Sequence, residues 1–520
     1  MRTIPETVYF RTKSTLSPET LAQQILPAGW ILTLLSSAKE QQAFYDTFEW
    51  HAFEKGVAVQ KKERILFLID INSGQKSASV SFQGNPLSFF SETLPDSLLQ
   101  TKLCSLSNIR AFSRLCLLNT FTTSYRLLDQ NSKTVAIIAV ESIQLTGHER
   151  YQEEIHLLAL TPFKGYEEDT TPIHQSLSAL EAVHSVLNFR ELFLLLMKCT
   201  KQRVQGYSAK FLTKLHPDAT IHESALLLLE HTFSVMLLNK NGIKKNIDSE
   251  FLHDYRVALR RTRSIMKLLM GIFNERENQY FLNLFRTLGK RTNDLRDRDV
   301  YLLRKKSYCN SLPPNLQPSL IPFFDNIAES RKVFHRRLSR YLSSSDYQVS
   351  LNEWEGFLNQ QTLPDVERTP QGSRSTKSVA LETIKRAWKK LLRRGRQISR
   401  ETTDTELHAL RIDCKKLRYL LEFFASIFQP DAIIPVIRQL KELQENLGAF
   451  VDASVQLHFL HQQLELIHSD TLFAASMGGL MVTLFQKKEE ARLKFNKTFT
   501  SFDHEETSQL FHDLLTGSSL

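Results

Sequence analysis

Two sets of residues in this chain share both type and spacing. His253, Arg256, Arg260 and Arg263 recur 155 residues later as His408, Arg411, Lys415 and Arg418. Positions i, i+3, i+7 and i+10 fall within an arc of roughly 80° on an α-helix, so each set stacks an imidazole and three cations along one helical face over about 15 Å. Arginine keeps its charge at any physiological pH and offers a planar fork of donors that matches phosphate oxygens, while lysine supplies a compact point charge. Rigid rows of such groups can hold several phosphates of one linear polyanion without reading any base. Lys267 extends the first row by a turn, and Arg261 with its equivalent Lys416 flanks both rows. Before the second row runs a dense basic segment of Lys385, Arg386, Lys389, Lys390, Arg393, Arg394, Arg396 and Arg400. Its counterpart in the first copy is far less charged, which predicts an asymmetric groove.

A single basic helix face is most often a solvated face, but recurrence with a histidine at the head of both copies argues for a shared ligand. The histidines suit either packing or ligand contact. Surrounded by cations, they lack the carboxylate or imidazole partners that a divalent ion needs, so neither a metal nor a cofactor is expected. Asp297 and Asp452 fit orienting partners of arginine better than catalytic groups.

The elements that must carry these rows are also duplicated. With the same offset Ile272 and Phe273 fall on Ile427 and Phe428, Leu288 on Leu443, Asp297 on Asp452, and Leu226 on Leu381. The alignment predicts one repeat at 215–345, a Ser-, Asn-, Gln- and Pro-rich linker at 346–374, and a second repeat at 375–515. Asp248-Ser249 and Thr403 with Glu406 supply N-cap chemistry just before the two basic helices. In the second copy Leu410, Leu417 and Phe424 lie nearly opposite the cations, as a bundle helix requires.

Residues 1–205 hold 20 Lys/Arg against 20 Asp/Glu, so the chain's net charge of +10 falls wholly in the duplicated part, and the anionic partner belongs there. Residues 1–175 read as an α+β domain with a mostly antiparallel sheet. Short strand-forming runs are Thr7–Phe10, Val57–Val59, Ile65–Ile71, Ala78–Phe82 and Val135–Val140, and helices are expected at Pro18–Leu26 and near Leu98–Phe112. Connecting helices are expected over 176–214. Five scattered cysteines without a Cys-x-x-Cys pair, and an N-terminus without an apolar signal core, point to a reduced compartment and a soluble intracellular protein.

The segments His253 to Arg263 and His408 to Tyr419 resemble the two signature helices of CHAD domains, and Arg296 to Val300 and Leu447 to Asp452 are similar to that family's second motif. The resemblance implies a helical domain of two pseudo-symmetric four-helix bundles that binds inorganic polyphosphate in a basic groove between them, without catalysis. The contacts it implies are His253, Arg256, Arg260, Arg261, Arg263, Lys267, His408, Arg411, Lys415, Lys416 and Arg418, with Arg386, Lys389, Lys390 and Arg393 alongside. It also implies a cytoplasmic place, with polyphosphate granules as one site, and no membrane partner.

CHAD domains often follow a CYTH domain, the triphosphate tunnel fold. Tyr45-Asp46-Thr47 followed by Gly56 to Val59 resembles a segment of that fold. The CYTH opening motif of two glutamates and a lysine falls on Glu6, Val8 and Phe10, and a later acidic strand on Glu154 to Leu158. Each retains one expected residue, which predicts a CYTH-like domain that is noncatalytic. Two rival functions remain: nucleic-acid binding through the same groove, and triphosphate hydrolysis by the N-terminal domain. Nucleic-acid grooves commonly interleave aromatics with the cations, and here the charged face offers only Tyr419.

Overall fold

The computed structural model describes residues 6–146, 154–211, 213–363, 368–399, 401–465 and 471–516, and it divides after Ser208. The first unit is built on an antiparallel sheet of β1 (Val8–Thr12), β2 (Ile31–Asp46), β3 (Val57–Lys62), β4 (Ile65–Asp70), β5 (Lys76–Ser81), β6 (Ser88–Phe89), β7 (Phe112–Leu128), β8 (Thr134–Leu145), β9 (Glu154–Pro162) and β10 (Val183–Leu187). The order is β10-β1-β9-β8-β7-β2-β3-β4-β5, with β6 paired to β7. One face carries Phe10, Leu127, Ile138, Leu158 and Leu160 and is covered by α1 (Pro18–Ile25) and α4 (Thr171–Ala179). On the other face Phe44, Ala58, Leu118, Ile143 and Leu157 receive α5 (Phe189–Cys199), whose Phe193 stacks on Phe53 with ring centres 5.8 Å apart. Helix α3 (Leu98–Leu106) closes a third apolar cluster with Tyr45, Leu66 and Phe112.

The turn at Tyr45-Asp46-Thr47 has a definite role. The Asp46 carboxylate accepts the backbone N–H groups of Thr47, Ala52 and Phe53 at 2.7, 2.9 and 3.0 Å, tying the end of β2 to the short helix α2 (His51–Glu54). Burial pushes its pKa up to about 6, against the pull of those bonds.

Two expectations for this unit need correction. The longest strands, β2 and β7, fall outside the expected runs: Ser36–Gln42 is rich in Ala, Lys, Glu and Gln, and its continuous pairing with β7 overrides that helix-favouring composition. Residues 176–214 are not simply connecting helices, because β10 pairs antiparallel with β1 and brings α4 and α5 into the sheet domain.

The second unit is helical. Its first copy contains α6 (Ile221–Lys245), α7 (Ser249–Leu268), α8 (Glu275–Arg291), α9 (Asn293–Leu303), α10 (Lys305–Asn310), α11 (Ile321–Leu342) and α12 (Ser345–Gln361). Its second contains α13 (Thr376–Gly395), α14 (Asp404–Phe423), α15 (Pro430–Glu465), α16 (Thr471–Phe502) and α17 (Glu505–Thr516). The limits 221 and 361 in the first copy correspond to 376 and 516 in the second, again 155 apart. Much of the expected linker is therefore bundle: α12 buries Tyr347, Leu351, Trp354 and Phe357, and the Trp354 ring meets Phe285 at 4.8 Å. Residues 364–367 of that linker lie outside the described residues, while Thr369 donates its hydroxyl to the carbonyls of Gly271 and Ile272. In the second copy α15 runs unbroken where the first copy breaks between α8 and α9 at Thr292.

The copies meet about a pseudo-two-fold axis. Thr220 and Ser375, equivalent residues, form an antiparallel bridge; the Ile221 N–H donates to the Arg374 carbonyl and the Thr376 N–H to the Ala219 carbonyl, both at 2.8 Å. Each bond is the other's symmetry mate, the self-complementary pattern of a two-fold contact. A shared apolar cluster seals the seam, with Tyr301, Tyr308, Phe323 and Phe324 from the first copy and Leu460, Phe473, Met477 and Leu480 from the second. Helix α6 is long and apolar enough to cross a membrane, but most of its apolar stretch is buried in the bundle.

Gly242 marks the closest approach of α6 and α7, since a Cβ there would lie 2.1 Å from the Phe251 ring. Gly242→Ala is expected to cost about 1–3 kcal/mol through overpacking, seen as a lower midpoint of thermal unfolding. An unchanged midpoint would contradict this packing.

Candidate functional site

Both basic helices are started by their own side chains. Asp248 accepts from the backbone of Glu250 and Phe251 to begin α7, and Thr403 and Glu406 cap α14 reciprocally. Behind the cations, α7 buries Tyr255, Leu259, Thr262 and Ile265, and α14 buries Leu410, Cys414, Leu417 and Leu421. With one face committed to core, the other must present the charged row.

Six of the eight row residues line one cleft of about 680 Å³: His253, Arg256 and Arg260 from α7, and His408, Arg411 and Lys415 from α14. Some are held by the protein itself. Arg256 is half-buried and donates to the Gly289 carbonyl at 3.3 Å, to Asn293 Oδ1 at 2.8 Å and to the Thr292 hydroxyl, where α8 gives way to α9. Burial and the neighbouring charge of Arg260 lower its pKa to about 10. Its equivalent Arg411 donates to Asp452 at 3.0 Å, and Asp452 also lies 3.6 Å from Arg304. The His253 Nδ1 is 2.9 Å from the Arg296 guanidinium, which can only donate, so Nδ1 accepts. This assigns His253 a positioning contact.

Arg260 and Lys415 are different. These equivalent residues meet near the pseudo-two-fold axis, and neither makes an ion pair or side-chain hydrogen bond among the described residues. Burial, then the charges of Arg411 and Arg260, push the Lys415 pKa down to about 8. The Asp452 charge offsets part of this, and the centre of the cleft keeps an excess of cations.

The other expected residues divide. Arg263 is half-buried beside Arg286, short of the cleft. Lys267, Lys416, Arg386 and Lys390 surround a second, smaller pocket of about 220 Å³. Arg261 turns away, donating to the Ala209 carbonyl, pairing with Glu422 at 3.3 Å and lying over the Phe211 ring. Arg418 bonds Glu422 and Gln444. Lys389 and Arg393 are exposed on α13 and line neither cavity. Of the rest of that segment, Arg394 and Lys390 are tied to the buried carboxylate of Asp413, Arg396 to Asp503 and Arg386 to Glu382, while Arg400 lies outside the described residues. Arg296, Arg298, Arg304, His458 and Gln462 also line the cleft. Arg304 could not be found from the repeat, since its equivalent is Phe459. Among the described residues no group of three or more His, Cys, Asp or Glu side chains is placed to hold a metal ion.

In the first unit, Phe10 belongs to the apolar cluster under α1 and α4, and Leu158 joins it there, so the register laid on Glu6, Val8 and Phe10 turns its last position away from the opposite face. Tyr9 packs against that opposite face, which also carries Glu40 and Lys62, 3.1 Å apart. Nearby Glu141 has its pKa raised, chiefly by burial, while the Lys62 charge opposes the rise.

Comparison with known proteins gives three results. The family model of the CHAD domain matches residues 227–461. Among solved structures, the CHAD domain from the plant Ricinus communis is similar at 19% identity and TM-score 0.48, covering 57% of this chain and 96% of that one. PptA from Streptomyces chartreusis is similar at 14% identity and TM-score 0.43, covering 54% of this chain and 100% of its own. A search of curated proteins finds no match.

The low pKa of Lys415 gives the cleft a pH signature. An anion favours the protonated amine, so affinity for a polyanion should fall as pH rises through about 8, and binding near that pH should take up protons. Calorimetry in buffers of different ionisation enthalpy checks this, and Lys415→Arg should flatten the profile between pH 7 and 9. An equally steep fall in that variant would show that another group titrates.

Proposed function

We propose that the CHAD domain of this chain holds inorganic polyphosphate along the cleft between α7 and α14 and performs no chemistry on it. The observation that carries this is the meeting of exposed Arg260 and half-buried Lys415, neither in an ion pair among the described residues, at the centre of two equivalent basic faces. Cations that outnumber the two cleft carboxylates, Asp297 and Asp452, are most simply understood as a place for a ligand of opposite charge, and a repeating chain of phosphates suits two rows related by pseudo-symmetry. Arg411, His253 and Arg256, fixed by Asp452, Arg296 and the α8–α9 turn, would meet the ligand already oriented. A cytoplasmic place beside polyphosphate follows from this function.

The nucleic-acid alternative is less well supported. The aromatic residues lining the cleft, Tyr301 and Phe459, stack on each other with ring centres 4.2 Å apart, which leaves their paired faces unavailable to bases. Arg260→Glu combined with Lys415→Glu should lower polyphosphate affinity by two orders of magnitude or more with helix content unchanged, since a charge-assisted hydrogen bond contributes about 1.5–3 kcal/mol. Calorimetry at two salt concentrations, with single-stranded RNA as competitor, is the test. RNA binding as tight as polyphosphate would favour the alternative, and a folded double variant with full affinity would sink the cleft assignment.

We further propose that the N-terminal unit is CYTH-like and noncatalytic. Val8 and Phe10 do not supply the carboxylate and cation of the opening motif, and Glu40 is already paired with Lys62. Metal-dependent triphosphate hydrolysis needs convergent carboxylates free to hold the ion. The full chain should therefore release no phosphate from tripolyphosphate or ATP with Mg²⁺ or Mn²⁺ beyond a chelated control. Turnover that is lost in Glu40→Gln or Glu141→Gln would make the unit an enzyme.

A further inference from the structure

The pseudo-symmetry of the helical unit predicts the pocket beside Lys267 twice, and the two copies have been treated in opposite ways. On one side, the space bordered by Arg261, Glu422 and His231 is occupied by Phe211, which lies 5.0 Å from both the Arg261 guanidinium and the His231 ring and meets Phe423 at 5.5 Å. Glu422 neutralises Arg261 there. On the other side Lys416 stands for Arg261, Lys267 for Glu422 and Arg386 for His231. The equivalent of Phe211, Val366, lies outside the described residues, and among the described residues this copy forms a pocket of about 220 Å³ lined by Lys267, Arg386, Lys390, Lys416 and the carboxylate of Asp413.

The cations here are held in place. Asp413, 3% exposed, stands where the first copy has Ala258; it accepts Lys390 at 3.0 Å, anchors Arg394 and lies 3.8 Å from Lys416. Asp413 in the pocket and Glu382, which pairs with Arg386 beside it, do not balance these cations, so the site stays net positive, and Lys267 has no acidic partner among the described residues. Burial, then the charges of Arg263, Arg286 and Lys416, lower the Lys267 pKa. Lys267 lies seven residues beyond Arg260 on α7, roughly 10 Å along the axis, and Arg263 stands between them. Past Lys415 the matching path carries less net positive charge, because Glu422 is shared by Arg418 and Arg261, and Lys441, the equivalent of Arg286, pairs with Glu445.

We propose that this pocket is a site for a terminal phosphoryl group, filled either by the end of a polyphosphate chain lying in the cleft or by free pyrophosphate. The chain-end source rests on the cleft function proposed above, whereas the pyrophosphate source does not. A terminal phosphoryl group carries close to two negative charges near neutral pH, where an internal one carries a single charge. A small pocket with several fixed cations suits the first, and a long open cleft suits the second. The asymmetry gives the bound chain a direction, with its end at the Lys267 side.

The experiment is a set of calorimetric titrations of the full chain, and of its Lys267→Glu and Lys416→Gln variants, with three probes: pyrophosphate, polyphosphate of defined length, and the same polyphosphate with both ends blocked as phosphate esters. The wild type should bind pyrophosphate, each variant should weaken that binding at least tenfold, and Arg260→Glu should weaken it far less. Tighter binding of free-ended than of blocked chains by the wild type, lost in Lys267→Glu, identifies the chain end as the occupant. Pyrophosphate binding lost in the variants while free and blocked chains bind the wild type alike supports the same site filled by the free anion. Failure of both polyphosphates to bind while pyrophosphate still depends on Lys267 would remove the cleft function and leave the pocket standing. No pyrophosphate binding together with equal affinity for free and blocked chains would overturn the proposal, as would pyrophosphate binding lost in Arg260→Glu but kept in both pocket variants.

Discussion

Repulsion between the two basic rows is the constraint that the helical unit must satisfy. Unit like charges 4 Å apart repel by about 4 kcal/mol at an effective dielectric of 20, and in the cleft the charge of Arg260 lowers the pKa of Arg256 and those of Arg411 and Arg260 lower that of Lys415. The opposing term is the apolar seam. Burying one large apolar side chain contributes about 1.5–3 kcal/mol, and Tyr308, Leu320, Phe324, Leu460, Met477 and Leu480 are all buried together across the two copies. Hydrophobic burial therefore wins and holds the cationic faces at a distance they would not choose. The repulsion would be relieved by a polyanion entering the cleft, so on the proposed function part of the ligand's affinity would be stored in the unliganded fold.

The same comparison explains why the rows are not bare. Each charge near the rim of the cleft has a local brace: Asp452 for Arg411, the Gly289 carbonyl and Asn293 for Arg256, Arg296 for the His253 nitrogen. Bracing limits rotamer freedom, so less entropy is lost when a ligand arrives. Arg260 and Lys415, at the axis, have no such brace among the described residues. Elsewhere in the unit the symmetry is broken by single residues. Asp413 in place of Ala258 turns an apolar helix contact into an anchor for Lys390 and Arg394, and Glu422 opposite Lys267 decides which end of the groove stays positive.

What the sequence made legible was whatever the repeat wrote twice. The rows, the caps at Asp248 and Thr403, and the offset of 155 needed only helical periodicity and residue type, and the CHAD family model covers the same stretch. What it hid falls into two physical kinds. Arg304 and Asp413 belong to one copy alone, so duplication gave no signal for them. Arg261 and Arg418 have the right type and spacing, but both bond Glu422; the Arg261 pairing, 161 residues apart, is decided by packing, whereas the Arg418 pairing, four residues apart on α14, is one that helical spacing carries. The Ser345–Gln361 helix was mistaken for linker because its polar composition outweighed the Tyr347, Trp354 and Phe357 face that makes it part of the bundle. In the sheet unit, β2 was hidden because its polar middle is held by pairing with β7 and not by its own alternation.

The two units offer a contrast in how charge is arranged. On the sheet, Glu40 and Lys62 are partners within the same face and Glu141 is held toward its neutral form by burial, so that polar surface is largely compensated from within. An internally paired carboxylate must break its salt bridge before it can bind a metal ion, and in a partly buried setting that step is expensive. In the helical unit the reverse holds: the cleft carboxylates Asp297 and Asp452 are outnumbered by cations, and Asp452, which orients Arg411, offsets only part of the charge at Lys415. Net charge alone would not separate these cases, because a surface rich in both signs and a surface rich in one sign can each look polar in sequence. Uncompensated charge on a rigid element, held there by burial elsewhere, is the physical signature of a site waiting for a partner.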